Sequence, residues 1–157
     1  LYCLKFLKAN KLILVIKMNQ NKVILDEIAK GLEMGIQSID AILPSIENET
    51  MRATVEKQKN DYQQVFEQAQ NLACGLNDNP NGNVLETVFL KSMIKMKTLL
   101  DDSDNHIAEM LIQGSNMLMI DLNRIKNDYT FQDDVAKFID DILELEQTHI
   151  DALKSFL

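Results

Sequence analysis

Apolar residues recur at every third or fourth position along most of the chain, which is the spacing of one face of an α-helix. The first stripe lies between residues 22 and 43 and ends at Pro44, because proline disfavours a helical residue before it. The second runs from about Ile46 to Cys74, with Ser45 as the expected cap and Gly75 as the stop. The stripe positions are Ile24, Ile28, Leu32, Gly35, Ile39 and Ile42, then Met51, Val55, Gln58, Tyr62, Phe66, Ala69 and Ala73.

Three further helices are predicted in the second half of the chain. A short one spans about 84–100, and the Asp, Ser and Asn residues at 101–105 interrupt it because their side chains compete for backbone hydrogen bonds. New helices then run over about 104–128 and 131–156, although an uninterrupted helix through 101–105 is the alternative. Their inward positions are Ile107, Met110, Leu111, Gly114, Leu118 and Ile125, then Val135, Phe138, Ile142, Leu145, His149, Leu153 and Phe156.

No alternating run bounded by turns predicts a strand, so the fold class is all-α. The pattern predicts an antiparallel four-helix bundle made of two hairpins, 22–43 with 46–74 and 104–128 with 131–156. The short helix 84–100, after a loop at 77–83, would join the hairpins and carry the chain back along the bundle. A simple up-and-down bundle with a long bent third helix is the alternative. A chain of 157 residues can bury a substantial single core.

Residues 1–17 differ in charge from everything that follows. They contain four lysines and no acid, which leaves 12 Lys and Arg against 24 Asp and Glu in residues 18–157. Their apolar run is too short for a secretory signal or a membrane span. Because Met18 resembles a natural start, we expect residues 1–17 to be a non-native or flexible extension of a bundle domain, 18–157. A short amphipathic segment on a membrane surface is the alternative.

The charge and the cysteines narrow the class of protein. The net charge of −8 argues against a nucleic-acid partner, because phosphate binding needs a cationic face. One cysteine, Cys3, lies in the extension and the other, Cys74, in the body, so the body has no internal disulfide. This usage indicates a reducing, cytoplasmic setting.

The clearest chemical signal is Glu146-x-x-His149 in the last helix. Residues three apart share one helix face, and these two fall within the apolar stripe, between Leu145 and Leu153. Burying an unpaired carboxylate is costly, so Glu146 needs a partner. A metal ion or a hydrogen bond to His149 would serve.

Three segments carry a family resemblance, namely Gly31-Leu32-Glu33-Met34-Gly35, Ala108-Glu109-Met110 and Glu146-x-x-His149. With the two-hairpin pattern, they make residues 20–157 resemble the ferritin-like superfamily, and within it the small uncharacterised bacterial bundles. Di-iron members of that superfamily supply one Glu from the first and third bundle helices and Glu-x-x-His from the second and fourth. The resemblance implies iron or another transition metal, in iron oxidation or storage, peroxide handling or oxygen activation.

The match to that ligand pattern is partial. Glu146 and His149 match the last motif, while Glu33 and Glu109 stand at the single glutamates. Glu56 stands at the start of the second motif, but Lys59 occupies the histidine position, where its charge would repel a second metal.

Helix geometry separates these candidates further. At about 100° per residue, Glu33, Glu56 and Glu109 fall off the apolar faces of their helices, whereas Gln58 and Tyr62 point inward, as does Asp121. The sequence therefore supports two hypotheses: a ferritin-like bundle with a partial Glu/His metal site, or a non-enzymatic structural or interaction bundle that has lost the site. It does not decide whether the protein is an enzyme. Either hypothesis allows a homo-oligomer formed through an exposed helix face.

Overall fold

The computed structural model of the protein describes the backbone of residues 2–76 and 103–157 and the side chains of residues 20–76 and 103–157. Over these ranges the chain forms four α-helices and no strand, as the sequence predicts: α1 Tyr2–Ile42, α2 Glu49–Cys74, α3 Asp104–Asp128 and α4 Asp133–Leu153. Short 3₁₀ turns at Leu43–Ser45 and Lys154–Phe156 follow α1 and α4. The predicted loop at 77–83 and helix at 84–100 lie outside the described residues. None of the helices over the described ranges is long and apolar enough to cross a membrane.

Two helix starts differ from the prediction. The first helix begins at Tyr2 rather than near residue 22, so the backbone of residues 2–17 continues the same helix. The division of the chain at residue 18 stays a prediction. The second helix begins at Glu49 rather than Ile46, because Asn48 is its N-cap and accepts a hydrogen bond from the Met51 N–H at 3.0 Å. The expected cap, Ser45, belongs to the preceding 3₁₀ turn.

The break before α3 is confirmed. Ser103 has an extended conformation (φ −61°, ψ 145°), and its side chain accepts a hydrogen bond from the backbone N–H of His106. This is the geometry of an N-cap, so a helix begins at Asp104. The alternative of one uninterrupted helix through 101–105 is therefore wrong.

Three hydrogen bonds place the helix ends relative to one another. The Asp104 carboxylate accepts from the backbone N–H groups of Glu47 and Asn48 at 2.9 and 2.8 Å, which brings the start of α3 to the turn between α1 and α2. The Asn21 side-chain oxygen accepts from the backbone N–H of Gln132 at 3.2 Å, which brings the turn between α3 and α4 to the other end of the packed part of α1.

The core lies where the apolar stripes of the four helices meet. Most of the predicted stripe residues are buried, including Ile28, Val55 and Ile142. In α3 the buried face is rotated from the predicted one. Its buried residues are Ile107, Ala108, Leu111, Ser115, Asp121, Leu122 and Ile125, whereas Met110, Gly114 and Leu118 are half-buried. This rotation brings a serine rather than a glycine to the inside of the bundle.

Candidate functional site

Five polar side chains come together inside the core, and we call them the polar cluster. They are Gln58 and Tyr62 from α2, Ser115 from α3, and Glu146 and His149 from α4. All five are buried, and Glu146 has no exposed surface. The inward placement predicted for Gln58, Tyr62, Glu146 and His149 is thus confirmed. Polar groups buried in an apolar core normally form hydrogen bonds, so the partner of each polar atom in the cluster matters.

Tyr62 connects the members of the cluster. Its hydroxyl accepts a hydrogen bond from the Gln58 side-chain amide at 3.1 Å and donates one to Oε2 of Glu146 at 3.1 Å. Its ring meets the His149 ring edge-on, with centroids 5.4 Å apart and planes at 75°. Burial, and to a smaller extent the nearby Glu146 carboxylate, raise the pKa of Tyr62. The hydroxyl therefore keeps its proton and can act as a donor.

Gly35 of α1 gives the Tyr62 ring its space. A Cβ atom at this position would lie only 3.1 Å from Cε2 of Tyr62. Any side chain at residue 35 would therefore press on the ring that holds the cluster together. The close approach of the Tyr62 ring therefore explains why a glycine occupies this position of the predicted inward stripe.

Glu146 is a weaker acid than an ordinary glutamate because it is buried. Burial raises the pKa of Glu146 to about 7, although Ser115 and Tyr62 lower it in part. The Ser115 hydroxyl lies beside the carboxyl without reaching hydrogen-bond geometry. The hydrogen bond to His149, one of the two partners that the sequence left open for Glu146, does not form, since Nδ1 and Oε2 are 4.0 Å apart. Tyr62 takes that role instead.

His149 is held from its other side by Asp61. Nε2 of His149 lies 3.0 Å from Oδ2 of Asp61, which also accepts from Nζ of Lys57 at 2.6 Å. Burial raises the pKa of Asp61, but Lys57 and His149 outweigh burial and the net pKa is lowered. Burial lowers the pKa of His149 by more than Asp61 raises it.

These pKa directions assign the proton of the imidazole ring. At neutral pH Asp61 is ionised and can only accept a hydrogen bond, while His149 is neutral and carries one ring proton. The proton therefore lies on Nε2, which donates to Asp61. Nδ1 is left with a free lone pair inside the cluster.

Four buried side-chain atoms in the described part of the chain have no hydrogen-bond partner within it. They are Oε1 of Gln58, Oγ of Ser115, Oε1 of Glu146 and Nδ1 of His149. Each belongs to the polar cluster, and each carries a lone pair that can accept a hydrogen bond or bind a cation. Buried polar atoms normally have partners, so four orphans at one place indicate a ligand or ordered water.

The other predicted site residues do not join the cluster. Glu33, Glu56 and Glu109 are exposed, and Glu109 accepts a hydrogen bond from the side chain of Gln113 on its own helix. Lys59, at the expected histidine position, pairs with Asp40 of α1 at 2.5 Å. Within the two described ranges, no group of three or more His, Cys, Asp or Glu side chains is placed to hold a metal ion. The full di-iron ligand set implied by the resemblance therefore does not fit this chain.

Sequence reasoning missed two residues of this region, Asp61 and Ser115. Asp61 follows Gln58 by three positions, which is the spacing of Glu146 and His149. The segment of α2 that faces α4 is thus Gln58-x-x-Asp61, two residues beyond the Glu56-x-x-Lys59 segment chosen by analogy. Spacing alone could have suggested Asp61, whereas Ser115 carried no recognisable signal.

Comparison of the chain with protein-family models, with curated proteins and with solved structures finds no match.

Proposed function

We propose that the protein is a ferritin-like helical bundle that binds one metal ion at the polar cluster, through Oε1 of Glu146 and Nδ1 of His149. The observation that carries the proposal is the set of four unpartnered buried atoms. A carboxylate oxygen, an imidazole nitrogen, an amide oxygen and a hydroxyl oxygen all offer lone pairs, and such atoms are ligands of transition-metal cations.

The surroundings of His149 support this assignment. Histidines that bind metals commonly donate their second ring N–H to a carboxylate, which fixes the tautomer and the ring orientation. Asp61 accepts from His149 in this way and leaves Nδ1 free. One nitrogen and several oxygen donors, with no thiolate, suit a transition metal such as iron, manganese or zinc.

The helix ends support the ferritin-like part of the proposal. The contact of Asp104 with Glu47 and Asn48 supports an arrangement in which α2 and α3 start at the same end and run in the same direction. The contact of Asn21 with Gln132 fits the same arrangement. The link from α2 to α3 would then return along the length of the bundle, and one long crossover of this kind is typical of ferritin-like bundles.

The division of tasks within the site follows from the residues. A bound transition metal supplies Lewis acidity, and for iron or manganese also electron transfer. Glu146 supplies the negative charge, His149 supplies a nitrogen lone pair, and the apolar core around them excludes bulk water.

Elemental analysis of protein purified without chelator tests this function. We expect about one transition-metal ion per chain, as for a mononuclear site, and its loss in His149→Ala. The matched control is His106→Ala, which removes the only other histidine, on α3 and half-exposed. Wild-type protein that contains no metal and takes up neither Fe²⁺, Mn²⁺ nor Zn²⁺ on titration would overturn the proposal.

A non-enzymatic structural or protein-interaction bundle is the second candidate. It is favoured by the bonds already made, since Tyr62 holds Glu146 and Asp61 holds His149 without any metal. Ordered water molecules would then satisfy the four remaining atoms. For this candidate the same analysis finds no metal, and added metal does not change the unfolding temperature of wild type or of His149→Ala.

A further inference from the structure

The N-terminal part of α1 extends beyond the described ends of the other three helices. The Asn21 side chain meets the turn between α3 and α4, so the packing of α1 against that hairpin starts near Asn21. The contact of Gly35 with Tyr62 sets the register of α1 against α2. Continued along both helices, this register places Cys74, the last residue of α2, close to the level of Asn21. Residues 2–17 therefore add about 24 Å of helix beyond this level.

Residues 2–17 combine positive charge with apolar residues. They contain four lysines and no acid, whereas acids outnumber Lys and Arg by two to one in residues 18–157. At about 100° per residue, Lys8 and Lys11 fall on the side of the helix away from an apolar stripe. The stripe consists of Tyr2, Phe6, Ala9, Ile13 and Ile16. A helix with lysines on one side and aromatic and aliphatic residues on the other is typical of segments that lie in the interface of a membrane.

We propose that residues 2–17 are a membrane-binding helix that attaches the bundle to an anionic lipid surface. A membrane-surface segment is one of the two interpretations that the sequence leaves open for residues 1–17. In this attachment the lysines lie among the anionic headgroups, and the apolar stripe enters the boundary between headgroups and acyl chains. Metal binding at the polar cluster plays no part in it.

The surface of a second copy is the other candidate partner, because the bundle is acidic. Within the described side chains, however, the exposed large hydrophobic residues are Ile120 and Leu157 alone. Such a surface offers negative charge to the lysines but no extended apolar area to the stripe. An anionic membrane offers both in one interface, and it therefore fits residues 2–17 better.

The acidic bundle does not prevent contact with an anionic surface. Charges separated by more than about 8 Å are largely screened at physiological ionic strength. Because residues 2–17 add about 24 Å of helix, most of that helix can reach the lipid while the acids of the bundle stay outside the screening distance. We expect attachment to weaken as salt is added, since the lysines are screened in the same way.

Flotation of the full chain with lipid vesicles tests this attachment. One type of vesicle is phosphatidylcholine alone, and the other contains about one-third phosphatidylserine. We expect wild type to bind the second type far better than the first. The triple variant Lys5→Gln, Lys8→Gln, Lys11→Gln should lower the partition coefficient on phosphatidylserine vesicles by about 100-fold, because each lysine near such a surface contributes about 5-fold.

The matched control is the triple variant Lys30→Gln, Lys137→Gln, Lys154→Gln. It removes three exposed lysines from the bundle and has the same net charge as the first triple variant. Its partition coefficient should stay close to that of wild type. A difference between the two triple variants therefore reports the position of the lysines and not the total charge.

A second measurement uses the two cysteines and needs no lysine variant. Cys3 belongs to the membrane-binding helix, and Cys74 is an exposed free cysteine at the end of α2. An environment-sensitive dye is attached to Cys3 in Cys74→Ser and to Cys74 in Cys3→Ser. Phosphatidylserine vesicles should shift the emission of the dye on Cys3 to shorter wavelength and leave that of the dye on Cys74 nearly unchanged.

The outcomes that would overturn the proposal are distinct. Wild type that floats with neither type of vesicle would do so, as would a Lys5, Lys8 and Lys11 variant that floats as well as its control. Equal emission shifts at Cys3 and Cys74 would show that the bundle itself makes the contact. Sedimentation without vesicles examines the second copy. A wild-type oligomer that the changes at Lys5, Lys8 and Lys11 dissociate would assign the helix to a contact between copies instead.

Discussion

At the residue scale, the fold changes the acid–base chemistry of Glu146. It is completely buried, and the bond that holds it comes from a neutral tyrosine rather than from a cation. Its pKa of about 7 means that folded protein holds a proton on Glu146 under conditions where unfolded protein has released it. The stability of the metal-free protein should therefore depend on pH at values where most carboxylates no longer titrate.

Because the folded-state pKa of Glu146 exceeds the ordinary value of 4.5, its contribution is fully present below pH 4.5 and is lost as pH rises through about 7. The lowered pKa of His149 acts in the opposite sense, since its contribution is present above pH 6.5 and is lost as pH falls. Above pH 6.5 the decrease in unfolding free energy is therefore due to Glu146. Over its whole titration this loss amounts to at most roughly 3 kcal/mol of unfolding free energy.

Urea unfolding of chelator-treated protein between pH 6.5 and 8.5 measures this dependence. The neutral variant Glu146→Gln should show a flat profile over that range, because it has no proton to lose. Glu144→Gln, on the exposed face of the same helix, should keep the wild-type slope. Equal slopes in Glu146→Gln and wild type would show that another group is responsible.

Gly35 provides a second prediction at this scale. Alanine normally stabilises a helix by about 1 kcal/mol relative to glycine. At Gly35 the added methyl would lie 3.1 Å from the Tyr62 ring, which cannot retreat without straining its bonds to Gln58 and Glu146. We therefore expect Gly35→Ala to lower the unfolding free energy by about 1–2 kcal/mol. Chemical denaturation tests this expectation, and a variant more stable than wild type would contradict it.

At the scale of elements, the sequence predicted the helices better than their ends. Apolar spacing identified the buried faces of α1, α2 and α4, because the apolar stripe that becomes buried can be recognised from the sequence of each helix alone. The start of α2 was missed, since Ser45 and Asn48 are both good caps and only the packing of the 3₁₀ turn selects Asn48. The predicted buried face of α3 was rotated from the observed one, because packing against the other helices decides which side of α3 is buried.

The sequence predicted the part of the candidate site that lies on α4 but not the partners of Glu146 and His149 on α2. Glu146 and His149 were found because both lie on one strongly apolar helix. Their partners on α2 depend on the relative height of two helices, which apolar spacing does not specify. A shift of two residues exchanges Glu56 and Lys59 for Gln58 and Asp61 and turns an exposed pair into a facing one.

Asp104 joins two elements and allows a prediction at this scale. Its carboxylate binds two backbone N–H groups just before α2, which no helix bond of α2 satisfies. Asp104→Ala should therefore lower the unfolding free energy by about 1–3 kcal/mol. Asp133→Ala is the matched control, because Asp133 is also an acid in a first helical turn, and no described residue of another element bonds to its side chain. Equal melting temperatures of the two variants would refute a joining role for Asp104.

At the scale of the whole molecule, a buried site links ligand binding to the stability of all four helices. The atoms of the polar cluster come from α2, α3 and α4, with α1 supporting Tyr62 through Gly35. Unfolding separates these atoms, so an ion that needs all of them binds the folded state alone. Binding energy then adds directly to the free energy of unfolding.

We therefore expect Zn²⁺ at about 100 times its dissociation constant to add about 2.7 kcal/mol of stability. Thermal unfolding with increasing Zn²⁺ should show a rising midpoint in wild type and in His106→Ala. The midpoint of His149→Ala should stay constant. An equal rise in all three proteins would instead indicate that Zn²⁺ binds to acidic residues on the surface. This control is needed because the chain has a net charge of −8.

The ion pair of Lys59 with Asp40 has a consequence for protein engineering. Installing a histidine by Lys59→His would break a surface pair between α1 and α2 and would place an imidazole in solvent. A designer who wants a second metal ion would work two residues further along, with Gln58→Glu and Asp61→His, where the helix already turns toward Glu146 and His149.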